Sequence, residues 1–444
     1  MFDRQDTPIV RHLAHGDLRC DPRNARRHSK AQIRQIANSI RSFGFNVPIL
    51  ASSDGQIIAG EGRWRAAQLL GLTTVPVIAL EHLTPARSRA FAIADNRLSE
   101  TSTWDDRLLG EVLLELSAQD LSFDLEATGF TTGEIDVLIE GLPSDGQERD
   151  VADDVPEPAD EMAISKSGDL WLMGNHKVLC GNALEEPSYA LLLGKEKAHV
   201  VFTDPPWNLP ISGHVSGLGA VQHREFAMAS GEMSSGAFTG FLTTTCAHLA
   251  RHTVDGAIHY VCIDWRHVDA LLAAGKIAYS ELKNVCVWVK NNPGMCSFYR
   301  SHHEFVLVFK SGKKPHRNNI ELGRHGRNRT NVWNYPGATT FSRTSDEGYL
   351  LALHPTVKPA RMVADAILDT SRRGDIVLDP FGGSGTSVIA AERTGRRAAL
   401  IELDPLYTDT IVRRWQNYTG EQAHHAVTDK TFTEHEEAVR HDQS

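Results

Sequence analysis

The chain has no paired cysteines to staple it and no apolar run long enough to cross a membrane. Its six cysteines, Cys20, Cys180, Cys246, Cys262, Cys286 and Cys296, are scattered without a C-x-x-C pair. That excludes a disulfide framework and a cysteine-rich zinc site, and predicts a reduced, cytoplasmic protein. No stretch approaches the ~20 apolar residues of a membrane-spanning helix. The opening residues, MFDRQDTPIVRHL, lack the apolar core of a secretion signal, which again predicts a cytoplasmic location.

Positive charge is also scarce, with 46 Lys and Arg facing 56 Asp and Glu for a net charge of −10. Such a balance argues against a nucleic-acid partner until its distribution is read. Residues 141–165 hold eight acids and one base, and residues 421–444 hold six acids and two bases. These two stretches carry the whole negative balance, so the remainder is close to neutral. Lys310 to Arg329 carries seven bases against Glu321 alone. From that run Lys313, Lys314, Arg317, Arg324, Arg327 and Arg329 are candidate DNA contacts, although a basic run also serves as a plain solvated face.

A length of 444 residues implies more than one domain, each able to bury its own core. The acidic, proline-containing stretch 144–165 reads as a linker. The expected division is a small α+β domain at 1–104, a helical extension at 105–143, the linker, an α/β domain at 166–420 and a disordered tail at 421–444. In the first of these, Ala31 to Phe43 has helical apolar spacing, and two short strand patterns flank Ser52-Ser53-Asp54-Gly55 as a hairpin. Gly60-Glu61-Gly62-Arg63-Trp64-Arg65 is a glycine-bracketed loop opening a helix, and its two arginines suit an anion. Gly60, Glu61, Arg63 and Arg65 are therefore a candidate phosphate or nucleotide loop.

Two apolar strands in the second half end in acidic turns, where open α/β sheets bind their ligands. Ala198 to Phe202 leads to Asp204-Pro205-Pro206-Trp207, and Asp375 to Leu378 leads to Asp379-Pro380-Phe381-Gly382-Gly383-Ser384-Gly385-Thr386. In the first turn two prolines stiffen a segment presenting a carboxylate, a carbonyl and an aromatic face. In the second, glycines allow close backbone approach at a helix start. A further strand, Arg397 to Ile401, ends in Glu402, placed to accept from ribose hydroxyls. The turn is not a dinucleotide G-x-G-x-x-G.

Together these motifs resemble the amino-group DNA methyltransferases, and their order along the chain resembles the β class, in which the catalytic motif precedes the cofactor motif. Residues 179–184 and His354-Pro355-Thr356-Val357-Lys358-Pro359 resemble further segments of that family. The resemblance implies a Rossmann-like, circularly permuted α/β methyltransferase domain that uses S-adenosylmethionine and no metal. It makes Asp204, Pro205, Pro206 and Trp207 catalytic, with Trp207 stacking on a flipped base. It makes Asp379, Phe381, Gly383, Ser384, Gly385, Thr386 and Glu402 cofactor contacts, and places Lys358 at the methionine end. It also implies double-stranded DNA as partner and adenine N6 as target, since many cytosine-N4 enzymes carry serine where Asp204 stands. Cytosine N4 is the alternative. Residues 209–235 are expected to close over DNA, and Ser311 to Ser345 to read the target.

Val10 to Glu100 resembles the ParB-like nuclease domain, through Gly60 to Ala67 and Asp95-Asn96-Arg97. In ParB proteins the corresponding loop holds nucleotide phosphates. Here Gly62 stands where that family often has a second arginine, and no ParB-type helix-turn-helix is evident downstream. The resemblance implies a domain that binds DNA, a partner or a nucleotide. Oligomeric state is left open, with a dimer compatible. His302 and His303 suggest no metal site.

Overall fold

In the computed structural model, residues 9–117, 119, 123–142, 162–208, 229, 231–291, 299–320, 327–336 and 357–441 are described. Most of the acidic linker, the loop after the proline turn, Arg324 and His354 to Thr356 lie outside them. The chain divides into two compact units, Met1–Leu142 and Pro143–Ser444.

In the first unit, Val10–Ala14 (β1), Ile49–Ala51 (β2), Ile57–Ala59 (β3) and Thr74–Ala79 (β4) form one sheet in the order β1-β4-β2-β3. The expected hairpin joins β2 to β3, and Gly55 takes the positive φ of 79° its turn requires. Lys30–Phe43 is a helix capped by Ser29, whose hydroxyl accepts from Gln32 N–H. Leu18, Ile49, Ile57, Ala67, Val75 and Val77 form the core beneath it. Further along, the helices Asp106–Ser117 and Thr132–Glu140 cross closely. Gly110 permits this, because a Cβ there would lie 2.7 Å from the Leu138 carbonyl oxygen.

The second unit is built on ten strands: Leu170–Met173 (β5), His176–Cys180 (β6), Ala198–Thr203 (β7), Thr253–Ile263 (β8), Glu281–Val289 (β9), His303–Lys310 (β10), Val332–Asn334 (β11), Ile376–Asp379 (β12), Arg397–Glu402 (β13) and His424–His425 (β14). Their order is β11-β9-β10-β8-β7-β12-β13-β6-β5-β14. The five central strands β8, β7, β12, β13 and β6 are parallel, and β10, β9, β5 and β14 pair antiparallel. Fully apolar runs such as Ile376 to Leu378 form the middle because helices cover both faces. From β7 the chain proceeds outward to β8, and from β12 outward to β13 in the opposite direction. The crevice between β7 and β12 is thus the point where the winding reverses, the usual ligand site of such sheets.

The tail differs from its expectation. The polar composition of residues 421–444 predicts disorder, yet β14 pairs with β5 and Phe432–His441 is a helix. Phe432, 1% exposed, meets Trp171 edge-on at 5.1 Å, and Ala423 is fully buried. Thr431 and Glu434 exchange side-chain and backbone hydrogen bonds at the helix start, a capping box written in the sequence. One buried ring and one cap order a segment that composition alone discounts. Phe432→Ala should therefore destabilise the second unit by about 3–5 kcal/mol, read as a lower urea midpoint for that unit; an unchanged midpoint would contradict the packing.

Candidate active site

Val377 lies opposite Val200 and Leu378 opposite Val201, so β7 and β12 end side by side although about 175 residues separate them. The Thr203 hydroxyl donates to Asp379 Oδ1 at 2.8 Å, which ties the proline turn to the glycine turn. Asp379 also accepts from the Ser387 hydroxyl at 2.6 Å and Phe381 N–H at 3.2 Å. Burial pushes its carboxyl up to about 7, against these donors. Asp379 is thereby a tether of the turn.

Beyond Asp379, the turn keeps the geometry its glycines allow. Gly383 and Gly385 have φ of 52° and 82°. Gly382 and Gly385 lie against Ile411, where a Cβ would come within 2.8 and 3.2 Å of its side chain. Phe381 is half-buried, its ring 5.8 Å from Phe241. Ser384 and Thr386 turn their hydroxyls to the buried Arg414, at 3.3 and 3.2 Å, rather than outward. Glu402 accepts from Gly383 N–H at 2.8 Å and Asp404 N–H at 2.9 Å. Burial raises its carboxyl to about 7.

At the end of β7 the proline turn carries Asp204 into a cluster of charges. Lys358 Nζ donates to Asp204 Oδ2 at 2.5 Å and lies 3.2 Å from Glu304 Oε2. Lys290 bonds Glu304 from the other side. The Lys358 ammonium also sits 5.0 Å from the Trp207 ring and 5.8 Å from that of Trp288. Burial alone would lower the Lys358 ammonium, but the two carboxylates hold it above the ordinary lysine range. Burial likewise opposes ionisation of Glu304, and Lys358 and Lys290 still hold it below its usual value. For Asp204 burial prevails and raises the carboxyl, with Lys358 pulling it down. Asp204 Oδ1 and Trp207 Nε1 are both buried with no hydrogen-bond partner.

The expected residues 204–207 and 379–402 thus converge on one crevice. Lys358, expected at the methionine end of a cofactor, pairs with the Asp204 carboxylate, and its backbone carbonyl accepts from Thr386 at 3.3 Å. Glu304 and Lys290 were missed, because a charged residue at a strand end carries no motif. Asn208 was missed too. At φ 54°, it accepts from Gly231 and Met233 N–H and donates to the Met233 carbonyl, closing the base of the loop that follows.

The basic run is corrected. Arg327, buried, and Arg329, half-buried, are spent on Asp369, at 3.0 and 3.1 Å, with Arg329 also donating to the Tyr335 hydroxyl. Lys313 and Lys314 are exposed, but their N–H groups bond Asp255 near the start of β8. Because β10 runs antiparallel to β8, that is the end of the sheet away from Asp204. Arg317, also half-buried, follows at the same end.

In the first unit, Asn24, Arg26, His28, Gly60, Glu61, Arg63 and Asn96 are among the residues lining a cavity of about 210 Å³. Arg63 Nε is buried without a hydrogen-bond partner, and burial lowers the guanidinium. Arg65 turns away to pair with the buried Glu61 at 2.5 Å, so it does not line the cavity. Gly62 is packed on Ile36 and His28, where a Cβ would come within 2.9 and 3.2 Å, which leaves no room for an arginine.

Comparison with known proteins agrees with this geometry. Residues 198–413 match the family model for DNA methylases of the N6/N4 type, and residues 3–97 match the ParB N-terminal domain. The chain thus carries an N6/N4-type DNA methylase domain, with a ParB N-terminal domain ahead of it. Residues 107–167 match a ParB-methyltransferase HTH domain, which overturns the expectation that no helix-turn-helix follows. The helices Asp106–Ser117 and Thr132–Glu140 are joined by far more than the usual three or four residues, so the spacing hid them. Type II methyltransferase M2.MboI of Moraxella bovis is 27% identical over 146 residues, 31% of this chain and 51% of that protein. The chain therefore spans about half the length of that relative. The ParB-like nuclease domain-containing protein YnaK of Escherichia coli K12 is 49% identical over 61 residues, 14% of this chain and 70% of that protein. The solved M1.HpyAVI–SAM complex aligns at 20% identity over 53% of this chain and 97% of that one, with a TM-score of 0.39.

Removing Lys358 should leave two buried carboxylates facing each other. Lys358→Met is expected to cost about 3–5 kcal/mol at pH 8 and distinctly less at pH 5, where a proton on Asp204 or Glu304 relieves the repulsion. Urea unfolding at the two pH values measures this, and an equal loss at both would contradict the charge cluster.

Proposed function

We propose that this chain is a site-specific DNA methyltransferase that moves the methyl group of S-adenosylmethionine to the N6 amine of adenine in double-stranded DNA, acting in the cytoplasm. Among the described residues no helix is long and apolar enough to cross a membrane. The observation that carries the reading is Asp204, a buried carboxylate with one oxygen held by Lys358 and the other without a donor.

An exocyclic amine shares its lone pair with the ring and is a poor nucleophile. A carboxylate accepting one of its N–H bonds localises that pair on nitrogen. Lys358 occupies Oδ2 and fixes the orientation of Asp204, leaving Oδ1 for the substrate amine, with the Pro205 carbonyl as the second acceptor. Trp207 offers a ring for the extruded base to stack on. S-adenosylmethionine supplies an electrophilic methyl group when bound. Gly383, Phe381 and Glu402 fit its nucleoside end: the glycine leaves space, the ring packs, and the carboxylate accepts from ribose hydroxyls. Positioning the amine in line with the methyl group is the main source of acceleration, and the amine proton leaves after transfer.

Asp204→Asn should reduce methylation at least about a hundredfold with cofactor affinity nearly unchanged. Nucleoside mass spectrometry of DNA from cells expressing the chain, beside that variant, should show N6-methyladenine; N4-methylcytosine as the only product would replace the adenine reading with the cytosine one.

An ionised Glu402 accepts from hydroxyls better than a neutral one, and its carboxyl titrates at about 7. S-adenosylmethionine should therefore bind more tightly as the pH rises from 6 to 8. Glu402→Gln should flatten that rise to whatever Asp379 contributes; calorimetric titrations across the range test it, and an unchanged slope in the variant would remove Glu402 from the cofactor site.

The cavity in the first unit is suited to nucleotide phosphates, because Arg63 keeps a buried donor unsatisfied there. Binding of CTP to the full chain should be lost on Arg63→Ala and kept on Asp204→Asn, which equilibrium dialysis reports.

A further inference from the structure

The helix Glu186–Leu193 opens on Glu186, while the helix Ser235–Arg251 ends beside it with His248, and His252 follows as its cap. Glu186 Oε2 lies 2.9 Å from His248 Nδ1, and Oε1 lies 3.0 Å from His252 Nε2. One nitrogen or oxygen from each of the three side chains thus falls within 4.8 Å of the others. Around a tetrahedral zinc, ligand atoms stand about 3.3 Å apart, close to the two histidine–carboxylate separations here.

The protons of His248 make the stronger argument. Its Nε2 lies 3.2 Å from the Leu184 carbonyl oxygen, and its Nδ1 faces the Glu186 carboxylate. A neutral imidazole has one N–H for these two acceptors. An imidazolium would satisfy both; on a neutral ring with its N–H given to the carbonyl, the Nδ1 lone pair faces the carboxylate, and a cation between them takes the place of the second proton. Metal-bound histidines have this very disposition, with the second ring N–H donated to a carbonyl or carboxylate. The buried Tyr189 ring stacks on both imidazoles, at 5.2 and 4.9 Å, and sets their planes before any ion arrives. Arg251 now sits 3.1 Å from Glu186 Oε2, but it is 67% exposed and has solvent to swing into.

We propose that Glu186, His248 and His252 bind a divalent transition cation of the zinc, nickel or copper class, the metals suited to imidazole. The ion would clip the two helices together and take no part in methyl transfer. Its position dictates that role. The His252 carbonyl accepts from Ala198 N–H at 2.9 Å, so the cluster lies at the starts of β7 and β8, and Asp204 lies past their far ends.

The test uses the full chain, stripped with a chelator and titrated with zinc by calorimetry, with magnesium as control. The expected result is one zinc bound that is missing from the His248→Ala/His252→Ala double variant, a melting temperature raised by zinc in the parent alone, and no response to magnesium. Glu186→Gln should weaken binding at least about tenfold. Arg251→Ala removes the competing cation and should tighten binding, a gain that no folding defect imitates. Equal zinc stoichiometry in parent and double variant would assign the metal to other histidines and overturn the proposal, as would an affinity that Arg251→Ala leaves unchanged or lowers.

Discussion

A single ammonium group holds one end of the sheet together. Lys358 enters from the segment before the helix Ala360–Thr370 and meets Asp204 at the end of β7 and Glu304 near the start of β10. Two carboxylates so placed cannot both stay ionised in a buried crevice without a cation between them. Lys290, at the end of β9, supplies a second positive charge from the flank. The cluster therefore fixes strands from both the parallel and the antiparallel part of the sheet relative to the proline turn. It also takes up one Asp204 oxygen and leaves the other without a donor.

Below that cluster lies a constraint of topology. β7 and β12 are neighbours although they are remote in sequence, and Thr203 bonds Asp379 across the seam. The glycine turn and the proline turn meet only because those two strands end together. Asp379 spends its lone pairs on Thr203, Ser387 and Phe381 N–H, so it shapes the turn while the neighbouring Gly383 leaves room beside it.

Much of this was legible in the sequence wherever one residue type served one physical need. Asp204 to Trp207 and Asp379 to Thr386 follow apolar strands, and glycines with positive φ sit where the turn needs them. Charge was less legible, because its meaning depends on strand direction. Seven bases between Lys310 and Arg329 look like one patch, yet Arg327 and Arg329 are consumed by Asp369, while Lys313 and Lys314 end up with Asp255 at the far end of β8. Glu304 is the converse case: a lone acid ahead of an apolar run gave no sign that antiparallel pairing would bring it to Asp204. The tail misled through its polarity, since Phe432 packed on Trp171 suffices to order it.

Strand polarity also separates two kinds of histidine and carboxylate chemistry within the second unit. At the carboxyl-terminal ends of β12 and β13, Asp379 and Glu402 are buried and their carboxyls are raised. At the amino-terminal ends, Glu186 is exposed enough to stay charged, and nearby histidines lower it further despite what desolvation there is. A cation suits the second environment and an amine acceptor the first. The same parallel strands thus place the Asp204 crevice at one end and the Glu186, His248 and His252 cluster at the other. Tightening the clip stiffens the starts of β7 and β8 while leaving the geometry around Asp204 to Lys358 and Thr203.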